Sequence, residues 1–340
     1  MKKKIFHLIT SLKIGGTERF VLSIIKHLHQ NYDFEVAYLK EDGPVGKEIR
    51  QWAPVRKVSH LGIARWLREG KPDILHTHLY RANILGRIAG KLCGVPKIIS
   101  DQRALDYWAW PWHRWLNTWT AGWCDVILAN SHRVEDHLVE DCHIPKGKIE
   151  MIPNGIERER VVSNKTKREA RQSLGLPQHQ VIVGSLMRLD HQKCIDLLPG
   201  VIRDIRRWRP EVFFAIAGDG PGRARFVKDL GDFPGWKLVG ELDSVSDFLA
   251  SLDVFFLFSR DEGASNALLE ARMAGISTVF SFSNRLEGFL SDIVCEIDTL
   301  SDRREMSKRT AREFQIFHNM GDMIAGVRRI YEKNLLEVSI

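Results

Sequence analysis

The chain has few cysteines and no long apolar run. Its five cysteines are scattered and contain no C-x-x-C pair, so the sequence indicates neither a disulfide framework nor a zinc site. We therefore expect a reducing, cytoplasmic environment. No apolar stretch approaches the roughly 18 residues that a membrane span needs. The short apolar segment behind the basic residues 1–4 is expected to be a first strand rather than a signal peptide.

Low-complexity segments and short internal repeats are also absent from the sequence. The formal net charge of +7 alone fits nucleic acid, an anionic membrane or a polyanionic glycan as partner. Basic clusters at 2–4, 203–209 and 303–312 are typical of solvated surfaces. Because no nucleic-acid-binding motif accompanies them, we expect no nucleic acid partner.

Length and periodicity predict two α/β domains. A chain of 340 residues is typical of two domains, and strand-like and helix-like segments alternate in both halves, as in doubly wound parallel sheets. In the first half, strands are predicted at 5–9, 35–39, 74–78, 97–100 and 126–129, and helices at 18–29, 82–93 and 133–140. In the second half, strands are predicted at 181–185, 212–217, 237–239 and 254–258, and helices at 196–207, 245–251 and 268–274.

The domain boundary is predicted near Pro153 and Gly155, because both residues interrupt regular structure and a polar, basic stretch follows them. We therefore divide the chain into 1–153, 154–315 and a final segment, 316–340. Helices are predicted near the end at about 303–314 and 322–335.

Two carboxylates, Glu262 and Glu270, flank a loop of small residues after the strand predicted at 254–258. The order strand, loop, helix exposes backbone N–H groups at a helix N-terminus, where the helix dipole favours an anion. Such an arrangement suits a sugar nucleotide, with amides for the diphosphate and carboxylates for sugar hydroxyls. The structural alternative is an acidic turn that caps a core helix.

Two cations, Arg188 and Lys193, follow the strand predicted at 181–185. They lie at its carboxyl end, where ligands bind in open α/β sheets. An arginine fork and a lysine point charge suit a diphosphate. Either cation alone is more typical of a solvated surface, but together with the Glu262 loop they form a candidate binding site.

The Arg188/Lys193 pair and the E-x7-E spacing of Glu262 and Glu270 resemble the donor site of GT-B glycosyltransferases, specifically retaining family 4. Other similar segments follow in the expected order, at Ile14-Gly15-Gly16-Thr17-Glu18, Ala129-Asn130-Ser131, Ile152-Pro153-Asn154-Gly155-Ile156 and Ile216-Ala217-Gly218-Asp219-Gly220-Pro221. The resemblance implies an α/β fold of GT-B architecture, with two Rossmann-like domains that face a central cleft. It implies that the first domain is the acceptor side, that the second binds the nucleotide sugar, and that the final helix crosses back to the first.

The resemblance also implies the reaction: a retaining, metal-independent transfer from a UDP- or GDP-linked sugar to a glycan or lipid-linked acceptor, in cell-envelope polysaccharide synthesis. No cofactor is implied. Arg188 and Lys193 would contact the diphosphate in place of a metal held by Asp-x-Asp, a motif that the chain lacks. Glu262 would lie beside the transferred sugar and Glu270 at the ribose. Residues implied to line the donor are Gly15, Gly16, Gly263, Ala264, Ser265, Asn266 and Ala267.

Three positions depart from the family pattern. Asp101 and Arg103 stand where many relatives carry a histidine near the reacting sugar, and are candidate replacements for it. Cys194 replaces the glycine that usually follows the lysine. The region after Gly275 lacks the customary proline and Gly-Gly pair, and residues 284–288 read Asn-Arg-Leu-Glu-Gly instead.

Two histidines, His76 and His78, lie at the end of the strand predicted at 74–78. They are acceptor-side candidates, and the alternative for each is a hydrogen-bonded structural histidine.

Six of the ten tryptophans lie within residues 108–123, with cations among and next to them. The positions of Trp112, Trp115, Trp119 and Trp123 follow helical spacing. Three interpretations remain open: a helix docked on the core, a patch on an anionic membrane surface, and an acceptor groove in which sugars stack. Trp108 and Trp110 are acceptor-side candidates. A membrane-facing patch would make the protein peripheral on the cytoplasmic face.

Two alternatives remain for the function. One is another GT-B enzyme, a nucleotide-sugar epimerase or a glycosyl phosphorylase, although a phosphorylase should be longer and carry a pyridoxal-phosphate lysine. The other is a catalytically silent scaffold that binds a sugar nucleotide.

Overall fold

A computed structural model describes residues 2–106, 109–242, 244–260, 262–281, 286–298 and 319–333. The chain divides into two compact units. Unit 1 runs from the N-terminus to Gly155 and includes the segment from Met320 onward, and unit 2 is Ile156–Asn319. In the described part of the chain, no helix combines the length and apolar character that crossing a membrane requires.

Unit 1 is a seven-stranded parallel sheet with helices between the strands. Its strands are β1 (Lys4–Ile9), β2 (Asp33–Tyr38), β3 (Val55–Lys57), β4 (Ile74–His78), β5 (Lys97–Gln102), β6 (Val126–Ala129) and β7 (Ile149–Met151). They lie in the order β3-β2-β1-β4-β5-β6-β7. The helices are α1 (Gly16–Leu28), α2 (Pro44–Ile49), α3 (Gly62–Gly70), α4 (Tyr80–Leu92), α5 (Pro111–Ala121) and α6 (His132–Glu140), followed after unit 2 by the helix Met320–Glu332.

Unit 2 is a five-stranded parallel sheet. Its strands are β8 (Val181–Leu186), β9 (Val212–Ala217), β10 (Trp236–Gly240), β11 (Val254–Phe258) and β12 (Ser277–Ser281), in the order β10-β9-β8-β11-β12. Its helices are α7 (Arg158–Val161), α8 (Lys167–Ser173), α9 (Leu198–Trp208), α10 (Arg223–Leu230), α11 (Val245–Ser251), α12 (Asn266–Met273) and α13 (Leu286–Asp298). The helix Met320–Glu332 is α14.

The prediction of an α/β fold with two doubly wound parallel sheets is confirmed. The central strands are nearly continuous apolar runs, as expected where helices cover both faces of a parallel sheet. The sequence-based assignment missed β3, β7 and β12, because the first two have only three residues and β12 is only partly apolar. The helix predicted at 303–314 lies outside the described residues.

Helix α14 belongs to unit 1 through its apolar face. Met323, Val327, Ile330 and Tyr331 are buried in the same core cluster as residues of β1 and α1. The Met323 sulfur also accepts a bond of 3.1 Å from the Gly155 backbone N–H. Burying four such side chains is worth several kcal/mol, at about 1.5–3 kcal/mol each.

The N-terminal lysines have a structural use. The Lys2 and Lys4 ammonium groups lie 3.5 Å from the carbonyls of His29 and Gly70, at the ends of α1 and α3. The Lys3 ammonium lies 3.2 Å from the Tyr331 carbonyl in α14. Cations at helix C-termini satisfy orphan carbonyls and complement the dipole. This basic cluster therefore stabilises helix ends in unit 1.

Candidate functional site

The predicted donor residues meet because two strands are neighbours. Strands β8 and β11 pair in parallel, so their carboxyl ends open at one edge of the sheet. The loop after β11 is tied to the turn after β8: the Ser259 hydroxyl and the Arg260 N–H bond the Gln192 carbonyl at 3.0 and 2.8 Å. The Arg260 guanidinium also binds Asp196, at 3.0 and 2.8 Å. These bonds set the two loops side by side.

Lys193 and Glu262 are in direct contact at this edge. Their side chains are only 15% and 11% exposed. Burial lowers the pKa of the Lys193 ammonium to about 8, with Asp190 opposing the shift and Arg188 adding to it. The site therefore holds a cation that is charged at neutral pH but close to titration.

Arg188 is the exposed cation of the pair. Its side chain is 68% exposed and forms an ion pair of 2.5 Å with Asp190. The Asp190 carboxylate also accepts a bond of 3.2 Å from the Lys193 N–H, which fixes the 3₁₀ turn His191–Lys193.

The Gly218 turn supports the loop that follows β8. Gly218 has φ +118, and a side chain there would start 2.0 Å from the Met187 carbonyl oxygen. The Leu189 N–H donates to the Asp219 carbonyl, and Gly222 donates to Leu189. Only glycine allows this close approach.

Helix α12 begins at Asn266, after the small-residue loop. The Ser265 hydroxyl caps it by accepting from the Leu268 N–H. Glu270 is only 3% exposed, and one carboxylate oxygen accepts from Arg160 Nε at 2.5 Å. Arg160 is a site residue that the sequence analysis missed, because it lies 110 positions away in a basic stretch that resembles a linker.

The glycine pair of unit 1 lies at the start of α1. Gly15 is the extended residue before the helix, and Gly16 is its first residue. A side chain at Gly15 would start 2.3 Å from the Glu18 carboxylate. Glu18 itself is in the first turn of α1, where the helix dipole stabilises a negative charge.

Asp101 and Arg103 form a buried ion pair in unit 1. Arg103 Nε donates to both Asp101 oxygens, at 3.0 and 2.7 Å. The Arg103 guanidinium also bonds Asn154 and stacks over the Phe20 ring, 3.1 Å from its centroid. Its Nη2 atom is buried with no hydrogen-bond partner among the described residues. Asp101 and Arg103 are therefore both engaged within the protein, and Nη2 is the one guanidinium nitrogen without a partner among the described residues.

His76 and His78 are fully buried and hydrogen-bonded inside unit 1. This placement matches the structural alternative rather than the acceptor-side role, because neither ring reaches solvent as placed. Among the residues that the structure describes, these two and His7 are the only group that could hold a metal ion, with one nitrogen of each within 4.8 Å of the others.

The tryptophan helix α5 exposes its aromatic side. Trp110, Trp112, Trp115 and Trp119 are 70%, 59%, 65% and 50% exposed. For these four, the interpretation as a helix docked on the core by its tryptophans is wrong. Trp108 lies outside the described residues.

Helix α5 is held from its polar side by Arg87 of α4. The Arg87 guanidinium is fully buried and donates to Asn117 Oδ1 at 2.7 Å, to Thr120 Oγ1 at 3.3 Å and to Ser100 Oγ at 2.7 Å. The buried residues of α5 are accordingly Asn117, Thr120 and Ala121. Helical spacing correctly indicated a helix but not which face is buried.

Comparison with known proteins gives the family. The model for Glycosyltransferase Family 4 matches residues 14–160, and that for Glycosyl transferases group 1 matches residues 178–294. The chain belongs to the GT-B glycosyltransferases. The predicted family and enzyme class are thus confirmed.

Named relatives and a solved structure agree with this assignment. The chain is 24% identical to UDP-Gal:alpha-D-GlcNAc-diphosphoundecaprenol alpha-1,3-galactosyltransferase of Escherichia coli, over 86% of this chain and 84% of that one. It is 26% identical to the O-antigen biosynthesis glycosyltransferase WclY of Escherichia coli, over 82% and 80%. The structure of Anabaena HepE in complex with UDP and glucose superposes with a TM-score of 0.87 at 16% identity, over 98% and 100%. The last likeness concerns the fold alone.

Proposed function

We propose that this glycosyltransferase moves a sugar from a UDP-linked donor to a glycan or lipid-linked acceptor, with retention, in the synthesis of a cell-envelope polysaccharide. The observation that carries the proposal is the contact of Lys193 with Glu262 at the carboxyl edge of β8 and β11, next to Arg188. A cation for the diphosphate and a carboxylate for the sugar lie side by side there. The relatives' names and the UDP-bound neighbour support the donor and acceptor classes.

The residues of unit 2 are suited to the departure of a nucleoside diphosphate. Negative charge develops on the leaving phosphate, and preorganised cations and amides stabilise it most effectively in a partly dry site. Lys193 and Arg188 supply charge, and the N-terminus of α12 supplies amides. Glu262, whose present partner is Lys193, turns to the sugar hydroxyls once the diphosphate engages that lysine. Arg160 holds the Glu270 carboxylate in place for the ribose.

The bond changes on one face of the sugar account for retention. The bond from the anomeric carbon to the phosphate oxygen breaks, and the acceptor oxygen forms its bond on the same side. The acceptor proton passes to the departing phosphate oxygen. No protein nucleophile takes part in this route. In unit 1, Arg103 takes the part of the family histidine in transfer, with Asp101 as its buried counterion.

A nucleotide panel tests the donor. At 100 times its dissociation constant, the correct nucleotide stabilises the folded protein by roughly 2.7 kcal/mol, which a thermal shift detects. We expect UDP to raise the melting temperature and CMP and AMP to leave it unchanged. Stabilisation by GDP but not by UDP would show that the donor is GDP-linked rather than UDP-linked. Stabilisation by none of the nucleotides would contradict donor binding.

Turnover is expected to be independent of added magnesium or manganese. The chain contains no Asp-x-Asp, and in our proposal Arg188 and Lys193 neutralise the diphosphate instead of a metal. Initial rates measured with either ion or with a chelator should agree within about twofold, because no metal ion then contributes to stabilising the transition state. Activity that disappears in chelator and returns with magnesium or manganese would show this to be wrong.

We also propose that the exposed face of α5 contacts an anionic membrane surface, where a lipid-linked acceptor would be presented. Tryptophan prefers the headgroup region, and four of these side chains are half-exposed or more. Arg103 does not contribute, because it is buried against Asp101. Nearby surface cations would add about 1 kcal/mol each.

Replacing Trp110 and Trp112 with serine should release the protein from anionic vesicles in a flotation assay at low salt. Folding should persist, because Trp110 precedes α5 at its N-cap position, where serine is favoured. Trp208→Ser is the matched control, since that tryptophan is 53% exposed but lies in unit 2. If the wild type does not float, or if the control is released equally, the membrane role of α5 is disproved.

A further inference from the structure

A chain of buried polar groups joins helix α14 to Arg103. His7 and His76 are directly paired between β1 and β4, and His78 is paired with Asp101 of β5. Paired residues of parallel strands and residues two apart share a face, so these side chains form one cluster. The cluster is capped by the Tyr331 hydroxyl of α14. The three histidines, Asp101 and Tyr331 are each at most 1% exposed.

The contacts form one continuous series of polar groups from Asp101 to His76, which we call the line. His78 Nδ1 lies 3.2 Å from Asp101 Oδ2, and His78 Nε2 lies 2.8 Å from His7 Nδ1. His7 Nε2 lies 3.4 Å from the Tyr331 hydroxyl, which lies 2.9 Å from His76 Nδ1. At the other end of the series, Asp101 accepts a hydrogen bond from Arg103 Nε.

The charge on Asp101 sets the direction of every proton in this line. An ionised carboxylate only accepts, so His78 must donate from Nδ1 and accept at Nε2. His7 must then donate from Nδ1 and accept at Nε2. Tyr331 donates to His7 and accepts from His76 Nδ1. His76 Nε2 has no partner among the described residues. This direction leaves it as an acceptor rather than a buried N–H donor, and an unpaired acceptor is the less costly of the two.

We propose that Tyr331, His7 and His78 are positioning residues that hold Asp101 in place and thereby fix the orientation of Arg103. This inference rests on the proposed role of Arg103 in sugar transfer. Arg103 is held by Asp101 through Nε and by Asn154 through Nη1, while Nη2 is buried with no hydrogen-bond partner among the described residues. Loss of the Tyr331 hydroxyl removes the donor to His7 and frees the line to rearrange.

A metal ion bound to the three histidines is the competing explanation. It would take one nitrogen from each ring, and for His7 this would be Nδ1, the atom that faces His78 Nε2 at 2.8 Å. However, it would require His7 to give up the proton that it donates to His78. The Arg103 cation also opposes positive charge there: burial first, and then neighbouring charges that include Arg103, hold the pKa of His76 well below its ordinary value.

The tautomers test the line directly. In protein labelled with ¹⁵N-histidine, long-range ¹H–¹⁵N spectra should show His7, His76 and His78 neutral and protonated at Nδ1 near pH 7.5. Free histidine prefers the other nitrogen, so the result is distinctive. Protonation of His7 or His78 at Nε2, or one equivalent of bound zinc in elemental analysis of the purified protein, would overturn the proposal.

Kinetics test the consequence for transfer. Tyr331→Phe should lower kcat roughly tenfold and leave the donor KM unchanged. Tyr32→Phe is the matched control, because the Tyr32 hydroxyl also joins α14, through Glu332 at 3.1 Å, but lies outside the line. An equal loss of kcat in both variants would show that the Tyr331 hydroxyl only fastens α14 to the rest of unit 1, and it would overturn the positioning role.

Failure of this inference can be told apart from failure of the proposed function. If Arg103→Ala transfers as well as the wild type while the three Nδ1–H tautomers are observed, the role of Arg103 is wrong and the arrangement of the line stands. If transfer is normal but the tautomers differ, the proposed function stands and the positioning inference is wrong.

Discussion

Replacing Glu262 with glutamine should abolish most sugar transfer, by on the order of a hundredfold in kcat. The carboxylate lies in the loop between β11 and α12, in contact with Lys193, and in the proposed mechanism it exchanges that cation for the hydroxyls of the transferred sugar. Glutamine has nearly the same shape but no charge, so the loss reports on electrostatics rather than packing. Initial rates with the best nucleotide sugar measure it.

Folding of this variant should be nearly intact, for a reason that the structure supplies. Removing the carboxylate leaves the Lys193 ammonium without its contact, which is costly for a buried charge. With its pKa lowered to about 8, however, that lysine can lose its proton at pH 7 for on the order of 1 kcal/mol, which limits the destabilisation. Glu211→Gln is the control, on an exposed glutamate at the amino end of β9. A variant that melts far earlier, or one that transfers like the wild type, would contradict the assigned role.

Replacing Lys193 with alanine should weaken donor binding at least about 30-fold, corresponding to about 2 kcal/mol. Arg188→Ala should cost less, within about fivefold, because that side chain is mostly exposed and solvent screens its charge. Calorimetric titration of each variant with the nucleotide gives the comparison. If both variants keep the wild-type affinity, the diphosphate binds elsewhere.

The affinity of the wild type should also depend on pH in a definite direction. Since the pKa of Lys193 is lowered to about 8, the ammonium is present below that pH and lost above it. Donor affinity should therefore fall as the pH rises through 8. Lys193→Arg should remove this dependence, because a guanidinium does not titrate in that range. A wild-type affinity that stays flat from pH 7 to 9 would show that Lys193 does not bind the diphosphate as a cation.

Local sequence patterns predicted most of the central strands and the main residues of the candidate site. Apolar runs predicted the central strands β1, β8 and β11, because a strand covered on both faces is largely apolar. The positions of Arg188, Lys193 and Glu262 after such strands indicated a shared site, since parallel strands open at a common edge. Short or partly polar strands such as β3 gave no such signal.

Tertiary packing decided two features that local sequence patterns do not predict, namely which helix face is buried and which distant residues become partners. The spacing of the tryptophans indicates a helix, but the face that is buried depends on Arg87, which lies on another helix and draws the polar side inward. Likewise, Arg160 meets Glu270 across 110 positions, and Tyr331 meets His76 across 255. Sequence determines which local elements form and where strands end, because those depend on neighbouring residues. Which charges become partners depends on distant elements brought together, and only the tertiary structure decides it.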